Sequence, residues 1–132
     1  MSGFEEEVNK ITSFIALNYS ATPVALDNDE IELAALNEWV RFSVQPYEAK
    51  NMGIGAEEYR YWGILYFQIF VRPNTGTGRT REIVDIFTAM FRDVNIGGIT
   101  FKVPDFKLVG VNDGWHQSTM SVKYYREELS WP

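Results

Sequence analysis

The spacing of apolar residues changes several times along this chain, and each change marks an element. From Gly63 to Val71 the run is almost wholly apolar or aromatic, with Gln68 the only polar residue. Such a run suits a central strand covered on both faces. Pro73 cannot donate to a sheet ladder and closes it. After the loop Arg72–Arg79, residues Ile83, Val84, Phe87, Met90, Phe91 and Val94 recur with a 3.6-residue period, which predicts a helix over 79–94 packed by one face. Phe4, Val8, Ile11 and Ile15 predict another over 3–18. Ser2 is placed to cap it, and Glu5 three residues later completes a capping box. Glu5, Glu6 and Glu7 sit where the helix dipole favours negative charge; the run reads as a solvated helix start rather than an acidic docking patch.

Other stretches alternate. In Trp39–Pro46, Val40, Phe42 and Val44 share one face, while Arg41, Ser43 and Gln45 share the other, predicting a half-buried strand that stops at the proline. Ile99–Val103 predicts a strand near 98–103, closed by Pro104. Gly97 or Gly98 is suited to the left-handed position after a helix end. Asp113-Gly114 between Phe106–Val111 and Trp115–Tyr125 is a hairpin signal. In the last strand His116, Ser118, Met120, Val122 and Tyr124 face one way. Trp115, Gln117, Thr119, Ser121, Lys123 and Tyr125 face the other, toward water or another chain. The tail from Arg126 to Trp131-Pro132 is charged. Residues 19–38 are less regular: Thr22-Pro23 breaks the first helix, and Ile31–Leu36 reads either as a helical turn or as the approach to a strand. Together these elements predict an α+β fold, one domain over residues 1–132. Its mainly antiparallel sheet would have four to five strands (39–46, 59–71, 98–103, 106–111, 115–125), with two helices on one face in a two-layer arrangement.

Tyr47–Glu58 reads as a loop of about a dozen residues, longer than most connections. Its glycines Gly53 and Gly55 make it mobile, and Met52 with Ile54 gives it an apolar tip that either folds back on the sheet or touches a partner.

Composition narrows the function. The 132-residue chain has no cysteine, so it has neither disulfides nor thiolate chemistry. Its 18 acidic against 12 basic residues give a net charge of -6, which disfavours nucleic-acid binding by counterion release. No apolar run is long enough to cross a bilayer, and the start lacks the pattern of a signal peptide, so no membrane role is expected. Aromatic residues make up 15%, which reads either as a rich core or as a core with some aromatics serving a subunit interface.

Chemical motifs are scarce. Gly76-Thr77-Gly78 before a helix lacks the lysine and third glycine of phosphate-binding loops. Asp27-Asn28-Asp29-Glu30 lacks the glycine and terminal glutamate of a calcium loop. His116 is the only histidine and reads as structural. No catalytic residue, cofactor or metal ligand is expected, and the chain is not read as an enzyme. Arg72, Arg79 and Arg81, however, cluster at a helix start, where positive charge is mildly unfavourable. That misfit points to a carboxylate partner on a neighbouring subunit.

Three strings in order carry a resemblance: Trp39-Val40-Arg41-Phe42-Ser43-Val44-Gln45-Pro46; Gly63 to Pro73 with Gly76-Thr77-Gly78 and a helix after it; and Asp113-Gly114-Trp115-His116-Gln117 before an alternating strand with Val122 and Tyr124-Tyr125. Over about residues 4 to 127 the chain resembles the tail terminator-like proteins of long-tailed bacteriophages. The resemblance implies structural work in the virion, at the neck of a tail made in the host cytoplasm. A homo-hexamer ring would cap the head-proximal end of the tail tube, stop its polymerisation and present a surface to the head–tail connector or neck protein. DNA would pass through the lumen without specific binding, for which an acidic chain is suited. The residues proposed for subunit or partner contact are Arg72, Arg79, Arg81, Tyr47, Met52, Ile54, Trp115, Gln117 and Trp131. The alternative is a small α+β protein- or ligand-binding module without catalysis.

Overall fold

The apolar run Gly63–Val71 lies within a strand paired on both sides. The computed structural model describes residues 3–20, 22–26, 37–53, 57–73, 77–112 and 114–130. Its elements in chain order are α1 (Phe4–Asn18), β1 (Val24–Leu26), β2 (Glu38–Asn51), β3 (Glu57–Val71), α2 (Thr77–Phe91), β4 (Asn95–Ile96), β5 (Ile99–Phe101), β6 (Asp105–Asn112) and β7 (Trp115–Ser130). β3 pairs antiparallel with β2 from Tyr59 to Val71 and with β7 from Glu57 to Val71.

The fold is α+β. The expected sheet of four to five strands in a two-layer domain is corrected: among the described residues the sheet has seven strands and curls. Its order is β1-β2-β3-β7-β5-β4, with β6 also on β7. β1 runs parallel to β2, Val24 opposite Val40. β5 and β6 divide the outer edge of β7 between them, β5 against Phe101–Tyr124 and Ile99–Arg126, β6 against Trp115 to Ser121.

Several boundaries differ from expectation for identifiable reasons. Pro46 does not end β2: a bulge between Pro46 and Glu48 carries the strand on to Asn51. Bulges and sheet edges are where a strand tolerates proline. The expected Tyr47–Glu58 loop is therefore mostly strand, and only Met52–Ala56 connects β2 to β3; Ile54 and Gly55 lie outside the described residues. β7 likewise runs past Tyr125 to Ser130, so most of the supposed tail is sheet. The capping box is not formed. Gly3, at φ 85°, is the N-cap without a side-chain cap bond, and Ser2 lies outside the described residues. After α2 the left-handed position falls to Asp93 (φ 52°), while Gly97 and Gly98 make the β4–β5 turn.

The core forms where both helices meet one set of sheet rows. Ile11 and Ile15 of α1 and Ile83, Phe87 and Phe91 of α2 are buried against Val40, Phe42, Leu65, Phe67, Ile69, Met120, Val122 and Tyr124. Phe87 stacks on Phe67 at 4.3 Å between ring centroids and lies 4.7 Å from Tyr19. On the opposite face Trp39, Phe70 and Trp115 form a second buried cluster, with Trp39 and Phe70 stacked at 4.2 Å.

A charged cluster is buried with the core. Arg126, 1% exposed, donates from Nε to Glu7 Oε1 at 2.7 Å, and the Tyr124 hydroxyl donates to Glu7 Oε2 at 2.7 Å. Its Nη1 lies 2.8 Å from Glu128 Oε1. The guanidinium faces the rings of Tyr61 at 4.5 Å and Phe4 at 5.0 Å. Burial opposes the Arg126 charge, but its hydrogen bonds to Glu7 and Glu128 outweigh that and hold its pKa above the usual value. Burial first, and then the bond to Glu7, push the Tyr124 phenol up. Gly63 makes room for this group, since a Cβ there would collide with the Tyr124 hydroxyl and ring.

Phe87 is fully buried with aromatic neighbours on two elements. Phe87→Ala is expected to lower stability by about 3–5 kcal/mol in denaturant melts. A loss below about 1 kcal/mol would show that α2 does not pack as described.

Candidate functional site

The three arginines around the α2 start have separate environments. Arg79 is held inside its own chain, with Nε 2.7 Å from Glu38 Oε1 and Nη2 2.8 Å from Glu38 Oε2. Such a two-point bond fits the planar guanidinium. Nη1 reaches Glu82 at 3.0 Å. Thr22 donates to Glu38 and shares a 2.5 Å hydrogen bond with the Tyr19 hydroxyl, extending the network to the end of α1. The Arg79 hydrogen bond is the main cause holding Glu38 below the usual carboxylate range, and burial pushes Tyr19 up. The suspected misfit of Arg79 is therefore resolved by a carboxylate two elements away in the same chain, which makes Arg79 a structural tie between α2 and the sheet.

Arg72 lies over the indole of Trp115, 3.7 Å from the ring centroid. Its backbone N–H donates to Asn37 O at 3.0 Å. This contact unites two of the residues proposed for a partner surface. Trp115 itself is buried, 5% exposed, against Trp39 and Phe70. The outward row of β7 begins with a buried anchor instead of a free aromatic. Gln117 is half-buried and has an interaction within the chain. Arg81 is exposed on α2, and among the described residues no carboxylate lies within ion-pair distance of it.

Tyr47 and Met52, 50% and 46% exposed, stand at the far end of β2. β2 is exposed at every residue from Gln45 to Asn51. β1 pairs with β2 only from Val40 to Phe42. Beyond that, among the described residues, the outer edge of β2 has no strand beside it. Ile54 and Trp131 lie outside the described residues.

The sheet face away from the helices carries an open groove of ≈ 390 Å³ lined by Arg41, Ser43, Gln45, Tyr66, Gln68 and Thr119. Among the described residues no three His, Cys, Asp or Glu side chains gather as metal ligands would. No helix of the described residues is long and apolar enough to cross a membrane.

Sequence reasoning missed two features. The Arg126–Glu7 pair was hidden because a lone arginine in a charged tail reads as solvated; the available signal was the continuing alternation from Met120 through Val122 and Tyr124 to 126. The second is β6. Phe106, Leu108, Val109 and Val111 have the pattern of ordinary strand residues, yet all four are exposed.

No protein-family profile matches the chain, and no curated protein matches it. Among solved structures, one protein designated only by a sequence identifier superposes with a TM-score of 0.64 at 16% identity, over 95% of this chain and 98% of that one. At that identity the likeness concerns the fold alone.

The Glu38–Arg79 bond has a pH signature. Glu38 is held below its unfolded pKa, so the pair contributes stability above the ordinary glutamate range and loses it as pH falls through the lower folded value. Glu38→Gln is expected to lower stability at pH 7 and to flatten the acid limb of a stability–pH curve. An unchanged acid limb would mean the bond contributes nothing.

Proposed function

We propose that this chain is a structural, non-catalytic protein of a phage tail, which assembles as a homo-hexamer ring at the head-proximal end of the tail tube. The ring stops tube growth and offers its other side to the head–tail connector or neck protein, and DNA passes through its lumen. The carrying observation is the β2 edge from Gln45 to Asn51, seven consecutive exposed residues on a strand whose outer edge has no strand beside it among the described residues. Long exposed edges are normally blunted or covered, because they recruit other chains. The resemblance in the three sequence strings supplies the class of assembly. The ordered pairing of β2 with β3 as far as Asn51 and Tyr59 supports a stiff arm, not a mobile loop, as the docking element. Six arms pointing along one axis would bind by multivalency, each contributing little alone. Tyr47 and Met52 provide its apolar contacts. Arg81, exposed and with no ion-pair partner among the described residues, is the arginine of the three that reaches a carboxylate of a neighbouring subunit.

Negative-stain microscopy and light scattering of the purified chain, alone and with assembled tail tubes, test this reading. Six-fold rings, or rings induced by tube ends, are expected. A monomer that leaves tube length unchanged overturns the reading. Replacing Ala49–Glu57 by a short turn is expected to leave the core folded but abolish capping; normal tail lengths with that variant place the docking surface elsewhere.

Arg81→Glu is expected to weaken ring assembly without altering the thermal melt of the monomer. Arg79→Glu is expected to destabilise the monomer itself by breaking its bond to Glu38. If Arg81→Glu assembles like the parent at physiological salt, Arg81 is not a subunit contact.

A further inference from the structure

Half of a second exposed edge is apolar. In β6, Phe106 is 36%, Leu108 52%, Val109 61% and Val111 65% exposed, and Val103 just before it is 59% exposed. β7 pairs with one side of β6; the other side has no strand beside it among the described residues. Phe106 and Leu108 lie opposite Met120 and Ser118, and so continue the helix-covered rows of the sheet. Asp105 and Lys107, opposite Ser121 and Thr119, lie on the other face. Among the described residues neither has an ion-pair partner in the chain.

The residue order from Val103, just before β6, to Val109, at the bulge between Leu108 and Gly110, supplies the partner. Val103-Pro104-Asp105-Phe106-Lys107-Leu108-Val109 has the same character read backwards, with one change: acid and base exchange places. Laid antiparallel on a second copy and centred on Phe106, it sets Asp105 of each copy opposite Lys107 of the other. Phe106 meets Phe106 of the second copy, Leu108 meets Pro104, and Val109 meets Val103. Opposite charges directly across an antiparallel pair attract, and like charges there repel. A lysine alone on an edge repels a second copy, which is how edges are commonly blunted; Asp105 two residues earlier turns that repulsion into two attractions. We propose that β6 is a two-fold contact between two copies of this chain, which joins their sheets edge to edge, centred on Phe106. The contact is isologous, so it is distinct from the head-to-tail contacts that close a ring. It joins two chains, or two rings, and does not rest on the ring reading.

Charge exchange and a single cysteine test it on the full chain. Asp105→Lys makes both members of each facing charge pair basic, and Lys107→Asp makes both acidic. Each is expected to weaken dimerisation about tenfold or more in light scattering across a concentration series. The double exchange Asp105→Lys with Lys107→Asp, and an equimolar mixture of the two single variants, are both expected to restore it, because opposite charges face each other again. Phe106→Cys introduces a single thiol into a chain that otherwise has none. It is expected to form a disulfide-linked dimer under mild copper–phenanthroline oxidation, since directly opposed residues lie about 4.5–5.5 Å apart, within disulfide reach. A circular-dichroism melt of each variant confirms that it folds. Absence of the cross-link, or reversals that the mixture fails to rescue, overturns the proposal. Rings that form without the cross-link would remove the two-fold contact and keep the ring reading; cross-linked dimers that never close into rings would do the reverse.

Discussion

The group that ties this molecule together is the buried pair of Arg126 and Glu7. A charge in the interior is costly unless it is paired with an opposite one. Here Glu7 takes a bond from Arg126 and one from Tyr124, and Arg126 Nη1 forms an ion pair with Glu128. Arg126 Nη2 is buried with no hydrogen-bond partner among the described residues, and the guanidinium lies against the Tyr61 and Phe4 rings. Breaking such a pair by removing one partner is costly even where replacing both would be neutral, so the pair acts chiefly on position. It sets the start of α1 over β7, and it obliges the facing residue of β3 to be glycine at 63. At the other end of α1, Tyr19, Thr22, Glu38 and Arg79 make a second polar tie, which links α1, β2 and α2. Between the two ties the apolar contacts of Ile11 and Ile15 have one geometry available.

Once both helices are fixed on the same rows, the rest of the sheet is left for other uses. β2 and β7 are longer than the helices can cover. The far half of β2 stands exposed, and β6, on the outer side of β7, carries apolar rows past the reach of α2. These edges differ in chemistry. The β2 edge mixes Tyr47 with Glu48 and Lys50, which pair with each other at 3.3 Å. The β6 edge keeps its acid and base unsatisfied by any described residue of its own chain. Two edges of different character are consistent with two kinds of neighbour.

The elements legible in the sequence were those whose apolar period is strict. α1, α2, the part of β2 up to Pro46, β3 and the β6–β7 hairpin all follow from alternation or a 3.6-residue period. What was not legible depended on neighbours distant in sequence. Pro46 reads as a stop unless it is known to sit at a bulge on an edge strand. Arg79 reads as misplaced until Glu38, 41 residues earlier, is placed beside it. Trp115 reads as an outward aromatic until Trp39 and Phe70 are seen to bury it. The exposure of β6 is also a tertiary property, since nothing in Phe106–Val111 itself says that the helices stop short of it. The apparent candidate site was displaced for the same reason: two of its three arginines are engaged inside the chain, one by a carboxylate and one by an indole.

The Arg126–Glu7 pair spans 119 residues of sequence, and the bond from Gly3 N–H to Glu128 spans 125. During synthesis, α1 is made before the strand that neutralises its buried carboxylate. Contacts of such long sequence separation must meet the loop-closure cost before they return anything, which slows folding. Until residues 124–128 emerge, Glu7 has no counter-charge, and β3 lacks β7, its partner along its full length. The polar contacts that fix the start of α1 over the sheet are therefore complete only once β7 has been made.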